Sequence, residues 1–234
     1  MSSQCTRRPR FRSLSPEAVM PSPALTLVLL LAAAPALRAQ DCLEQIRFPK
    51  VGRWAEYKAL YNGKDPYMVR YAVIGSEKRG GADLKWVELR MVGEDKDKNF
   101  TYQALIPGSP TEMANVQEII MKVGNKPAMK MNGMMMNMIR DQLDKQNFLA
   151  EVCKEVSLVG EEKVTVPAGR FQARHFHSAK YGSDSWLASS VPFALVKSVG
   201  KNYQMELADH GDGAMSSISE KPQEMPGMGG PSSQ

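Results

Sequence analysis

Apolar and polar residues alternate with a period of two through much of this chain. Tyr67, Val69, Tyr71 and Val73 alternate with Met68, Arg70 and Ala72; Val87, Leu89 and Met91 with Glu88 and Arg90; Phe100, Tyr102, Ala104 and Ile106 with Thr101 and Gln103. Successive side chains of a strand point to opposite faces, so each run predicts a strand with one buried face. Asn62-Gly63-Lys64-Asp65-Pro66, Arg79-Gly80-Gly81-Ala82 and Gly93-Glu94-Asp95-Lys96-Asp97 lie between these runs and supply turn chemistry. Connections this short imply antiparallel pairing in a meander, because parallel neighbours need a crossover of about a dozen residues.

The middle of the chain changes period. Ser109-Pro110-Thr111-Glu112 combines an N-cap serine, a first-turn proline and a capping-box glutamate. Met113, Val116, Ile120 and Val123 follow at helical spacing, which predicts a helix over 110–123. A second, amphipathic helix is predicted over 132–148, with Met135, Met138, Ile139 and Gln142 along one stripe and Arg140, Asp141, Asp144 and Lys145 turned largely elsewhere. Strand patterns return over 151–159, 163–166, 170–178, 185–189, 195–199 and 202–209. The expected fold is mainly β (α+β): a curved antiparallel half-barrel sheet of about eight or nine strands, with two helices inserted mid-chain and packed on its concave face. Residues 213–234, rich in Gly, Ser, Pro and Met without any period, are expected to form a disordered tail.

Composition and charge add a statement about location. The 234 residues carry a formal charge of +5, but Arg7, Arg8, Arg10, Arg12 and Arg38 outweigh Glu17 before residue 40 and account for most of that excess. Ala24–Ala34 is an uncharged apolar run, too short to span a bilayer and closed by Pro35, which resembles the core of a secretory signal. Residues 1–39 are therefore expected to be a leader, starting at Met1 or Met20, and 40–212 a single exported domain. Export to the periplasm or beyond makes Cys42 and Cys153 an even pair in an oxidising compartment, so a disulfide is expected. No stable transmembrane segment is expected after cleavage, and the mature chain is expected to be monomeric. The near-neutral charge after residue 40 leaves nucleic-acid binding without an electrostatic basis.

The C-terminal half carries a resemblance. Val164-Thr-Val-Pro-Ala-Gly-Arg-Phe171, Asp184-Ser-Trp186, Val191-Pro-Phe-Ala-Leu-Val-Lys197 and Met205-Glu-Leu-Ala-Asp-His-Gly211 resemble a string in exported bacterial proteins similar to the LolA/LolB lipoprotein-carrier half-barrel. The chain departs from that pattern at Ala194, where those relatives carry Gly. The resemblance implies a strongly curved antiparallel sheet wrapped around helices, with an apolar cavity able to hold acyl chains. It implies no catalytic residue and no cofactor.

Candidate chemistry is sparse. Met121, Met129, Met131, Met134, Met135, Met136 and Met138 crowd one segment. Thioethers are flexible and polarisable enough to line an adaptable apolar site, and soft enough to bind Cu(I). On the first reading Met135, Met138 and Ile139 form a lid, and Trp54, Trp86 and Trp186, with Tyr57, contribute to a core or cavity. On the second, Met134, Met135 and Met138 combine with His175 and His177, which stand two apart on one strand face with Phe171 and Ala173. Hydrolase, zinc-protease and phosphate-loop motifs are absent. The sequence thus favours an exported, non-enzymatic protein that binds a hydrophobic or lipid-like molecule or a lipidated partner. A copper-handling protein and a structural envelope component are the alternatives.

Overall fold

Period-two alternation becomes one long sheet. In the computed structural model the strands are β1 (Trp54–Tyr61), β2 (Tyr67–Arg79), β3 (Ala82–Val92), β4 (Phe100–Pro107), β5 (Glu118–Val123), β6 (Met129–Lys130), β7 (Ser157–Val166), β8 (Gly169–Ser178), β9 (Ser183–Leu187), β10 (Leu195–Gly200), β11 (Tyr203–Gly211) and β12 (Gln223–Glu224). One helix, α1 (Gly133–Gln146), is delimited among the described residues, besides a 3₁₀ turn at Lys96–Lys98 and isolated helical positions at Cys42, Gln45 and Cys153. The described residues are 42, 45–63, 66–108, 115–131, 133–146, 153 and 155–225, all within the unit Ala36–Gln234. The leader expected over 1–39 lies outside them.

The strand order is β12-β6-β5-β4-β3-β2-β1-β11-β10-β9-β8-β7. From β1 the chain steps outward hairpin by hairpin to β6, then restarts at the opposite edge with β7 and steps back until β11 closes on β1. Every pairing is antiparallel except β12 on β6, and the sheet is not closed. The β2–β3 turn shows the local chemistry: Gly80 and Gly81 have φ of 57° and 83°, the left-handed pair that a two-residue hairpin needs. The β7 end curls over the sheet, because Ala168 N donates to Leu207 O on β11 at 3.1 Å although three strands separate β7 from β11.

Three expectations are corrected. First, residues 118–123 of the helix predicted over 110–123 are strand β5, while 109–114 lie outside the described residues. Helical spacing accounted for Ile120 and Val123 but passed over Ile119. Ile119 and Ile120 are both buried, against different clusters on the two faces of the sheet, and β-branched neighbours buried on both sides suit a strand better than a helix. Secondly, the segment predicted as a disordered tail is built into the fold over 213–225. Ala214 and Ile218 are buried, Ile218 packs with Ile120, Ala128 and Trp86, and β12 extends the sheet. Residues 226–234 lie outside the described residues. Thirdly, the strands predicted at 151–159 and 163–166 are a single strand over 157–166, and twelve strands replace the eight or nine expected.

The helix predicted over 132–148 is observed as α1. Its buried stripe is rotated by about one position from the expected one: Met136 is buried, Met135, Ile139 and Arg140 are half-buried, and Met138 is exposed. Arg140 turns toward the sheet side, its Nε donating to Val116 O at 2.7 Å. The helix packs on Ala104, Ile106, Ile119 and Met131. The opposite face of β3 and β4 is covered by the C-terminal segment. There the buried Glu88 carboxylate accepts from Gln103 Nε2 at 2.7 Å and from Ser217 N at 2.9 Å.

Candidate functional site: an apolar cavity on the helix-covered face

The same alternation that makes the strands floors a cavity. Tyr71 from β2, Val87 and Leu89 from β3, and Tyr102, Ala104 and Ile106 from β4 point to one face, joined by Tyr57 from β1 and Leu195 from β10. Ile46, Arg47 and Phe48, ahead of β1, and Phe193, in the turn before β10, complete the wall. The cavity, open to solvent on one side, has a volume of about 300 Å³, at the lower end of small-molecule sites. Aromatic contacts hold the wall in place: Phe193 meets Phe48 edge-on at 6.4 Å and Tyr71 at 5.7 Å, and Tyr57 meets Tyr71 at 6.0 Å.

Backbone strain sets one of these side chains. Phe193 and Ala194 have φ of 62° and 61°, a left-handed pair in residues that bear a Cβ. The turn is closed by Ala188 N donating to Ala194 O at 2.7 Å and Ala194 N donating to Val191 O at 3.0 Å. Ala194 is where the resembling sequences carry Gly, and the left-handed conformation is the physical reason that Gly suits the position. Here the chain keeps the turn at some cost in strain, and Phe193 is thereby brought into the cavity wall.

The polar groups of the cavity are few. Tyr57 donates its hydroxyl to Leu195 O at 3.1 Å, and burial pushes its pKa far above the ordinary phenol value. Burial raises Tyr71 as well, and Tyr102 to about 12. The Tyr71 and Tyr102 hydroxyls have no hydrogen-bond partner among the described residues. Lys85, on the same face of β3 as Val87 and Leu89, donates from Nζ to Phe48 O at 3.3 Å and Pro49 O at 3.1 Å, which ties down the wall segment. Burial holds its ammonium below the usual lysine range. A second cavity of about 420 Å³ adjoins the first through Arg47, Phe48 and Phe193, and adds Gln45, Pro49, Ser189, Val191 and Ala194.

Most of the residues singled out from sequence sit elsewhere. Of the aromatic candidates, Tyr57 lines the cavity and Trp54, Trp86 and Trp186 do not. Trp54 lies under the Arg70 guanidinium at 4.4 Å and donates to Asp212 O. Trp86 packs with Ile120, Ala128 and Ile218, and Trp186 stacks on His175 at 4.5 Å. Met135 and Ile139 belong to the neighbouring helix cluster, which shares Phe48, Val87, Tyr102, Ala104 and Ile106 with the cavity. Met138 is exposed. The residues missed were Ile46, Arg47, Phe48 and Phe193, which lie outside any strand and carry no period.

His175 and His177 do share a face, as their spacing predicts. Asp184, paired with His177 across β8 and β9, accepts from His175 Nε2 at 2.8 Å and from His177 Nδ1 at 3.0 Å, both on Oδ1. The His175 contact, with a smaller one from His177, holds the Asp184 carboxyl below its usual range. Met134 and Met138 are exposed on α1, which covers β4 and β5, whereas the histidines stand on β8 near the far edge of the sheet. Among the described residues, no group of three His, Cys, Asp or Glu side chains is placed to hold a metal ion.

Cys42 and Cys153 form the expected disulfide, with Cα atoms 5.5 Å apart, buried with Phe176 and Leu187. No helix among the described residues is long and apolar enough to cross a membrane.

No protein-family model matches the chain, and no curated protein matches it. Among solved structures it is similar to an exported protein with a YmcC-like fold from Bacteroides fragilis, at 11% identity and a TM-score of 0.37 over 71% of this chain and 99% of that one. A lipoprotein from Parabacteroides distasonis is similar at 11% identity and a TM-score of 0.33, over 70% of this chain and 97% of that one. MucB is similar at 13% identity and a TM-score of 0.38, over 81% of this chain and 63% of MucB. Similarity at this level carries no argument about function, which rests on the chain's own geometry.

Proposed function

We propose that this protein is an exported, non-catalytic binding protein that holds an aliphatic or lipid-like molecule in the cavity between β1–β4, β10 and the Ile46–Phe48 segment. The observation that carries this reading is the cavity itself, about 300 Å³, whose wall among the described residues has eleven apolar or aromatic side chains and one cation. A well-packed interior leaves few voids larger than a water molecule, so an apolar space of this size on a packed face is a binding feature rather than a packing residue. An alkyl chain there gains roughly 0.8 kcal/mol per buried CH₂.

Native mass spectrometry of the protein purified from the bacterial envelope, with titration of a fluorescent fatty-acid analogue, tests the proposal. A co-purifying apolar molecule, or saturable probe binding that Ala104→Phe abolishes while the fold is retained, supports it. A bare polypeptide that takes up no apolar probe overturns it.

A further inference from the structure

The two adjoining cavities differ in chemistry, and one residue stands where they meet. The inner one is walled by Tyr, Phe and aliphatic side chains, while the outer one adds the amide of Gln45 and the hydroxyl of Ser189. Arg47 belongs to both linings and, among the described residues, is the only charged one in either. Its guanidinium has no ion-pair or hydrogen-bond partner among the described residues. A guanidinium set beside low-dielectric walls focuses positive potential on the cavity mouth.

A second cation lies beneath the same segment. Lys85 projects from β3 one pleat from Val87, opposite the cavity residue Ile106, and its Nζ meets only the carbonyls of Phe48 and Pro49. It has no carboxylate partner among the described residues. Arg47 at the junction and Lys85 beneath the segment that bears it are two cations beside an apolar chamber, and neither lining holds an acidic side chain among the described residues.

We propose that the ligand is a single-chain amphiphile with an anionic head group, its tail in the inner cavity and its carboxylate or phosphate oxygens on the Arg47 guanidinium at the mouth. This deepens the binding reading above and rests on it. Guanidinium–oxyanion contacts are charge-assisted and bidentate, which selects for the head group as well as holding it.

Isothermal titration of the full chain with its disulfide intact, at low salt, compares dodecanoate, dodecyl phosphate and dodecanol. One or both anions should bind roughly tenfold tighter than the alcohol, the size expected of a hydrogen bond to a charged group. Arg47→Gln should weaken both anions and erase their preference over dodecanol. Whichever anion binds tighter identifies the head group. Equal binding of anion and alcohol by the unmodified protein, or equal weakening of both by Arg47→Gln, overturns the inference while leaving the cavity reading intact. If none of the three binds, both fall together.

Discussion

Single residues decide the shape of the site through backbone strain and paired polar contacts. Ala194 occupies the left-handed region, which costs a residue with a Cβ roughly 1 kcal/mol relative to Gly. Ala194→Gly is therefore expected to stabilise the protein by about that amount, read as a higher urea midpoint at unchanged slope. The polar cluster on β8 and β9 makes a pH-dependent contribution. Asp184 titrates lower in the fold than the ordinary value of 3.8, chiefly through the hydrogen bond from His175. A carboxyl depressed in this way adds stability that is fully present above the unfolded pKa and is lost as pH falls through the folded one. Urea midpoints measured downward from pH 5 should fall more steeply for the unmodified protein than for Asp184→Asn, and parallel curves would refute the linkage. The sharing of a face by His175 and His177 was legible from their spacing, whereas Asp184 as their partner was not, because it depends on the register between β8 and β9.

Elements were legible where one face is buried and obscure where both are. The strands over 67–73, 87–91 and 100–106 alternate cleanly, and their inward set includes six of the residues that floor the cavity. Strand β5 is buried on both faces, so alternation vanishes and the leftover spacing mimics a helix. The C-terminal segment has no period at all, yet isolated anchors hold it on the second face of the sheet: Ile218 against Trp86, Ile120 and Ala128, and the Ser217 amide on Glu88, while Ala214 N donates to Gly52 O. Ile218 is 8% exposed, so Ile218→Ala is expected to cost about 2 to 4 kcal/mol by removing buried methyl groups. Glu88→Ala removes the acceptor of the Ser217 N–H and of one Gln103 Nε2 hydrogen, Ser216 Oγ keeping the other, and is expected to cost about 1 to 3 kcal/mol. Chemical denaturation of either variant measures the loss. Retention of full stability would mean that the segment does not hold the sheet.

At the scale of the molecule, the disulfide fastens the residue region ahead of β1 to the region ahead of β7, the two places where the chain begins its outward and its returning run of strands. It closes a loop with a sequence separation of 111 residues, for which chain entropy alone gives about 4 to 5 kcal/mol. Cys42→Ala with Cys153→Ala should lose stability of that order, and a reducing agent should lower the urea midpoint of the unmodified protein but not of the double variant. The sequence by itself determined the antiparallel character of the sheet, most strand positions, the cysteine pair and the helix now seen at 133–146. These follow from interactions between near neighbours and from an even pair of cysteines, both of which a linear pattern records. Tertiary structure alone decided that residues 118–123 are a strand, that 213–225 form a cover, and that Ile46–Phe48 and Phe193 wall a cavity. Those outcomes depend on contacts between residues far apart in the chain, whose energy comes from the face they cover rather than from any local period. The cavity illustrates the division: its floor was already present in the alternation of three strands, and its wall and its single cation became visible only when the chain ahead of β1 was laid across them.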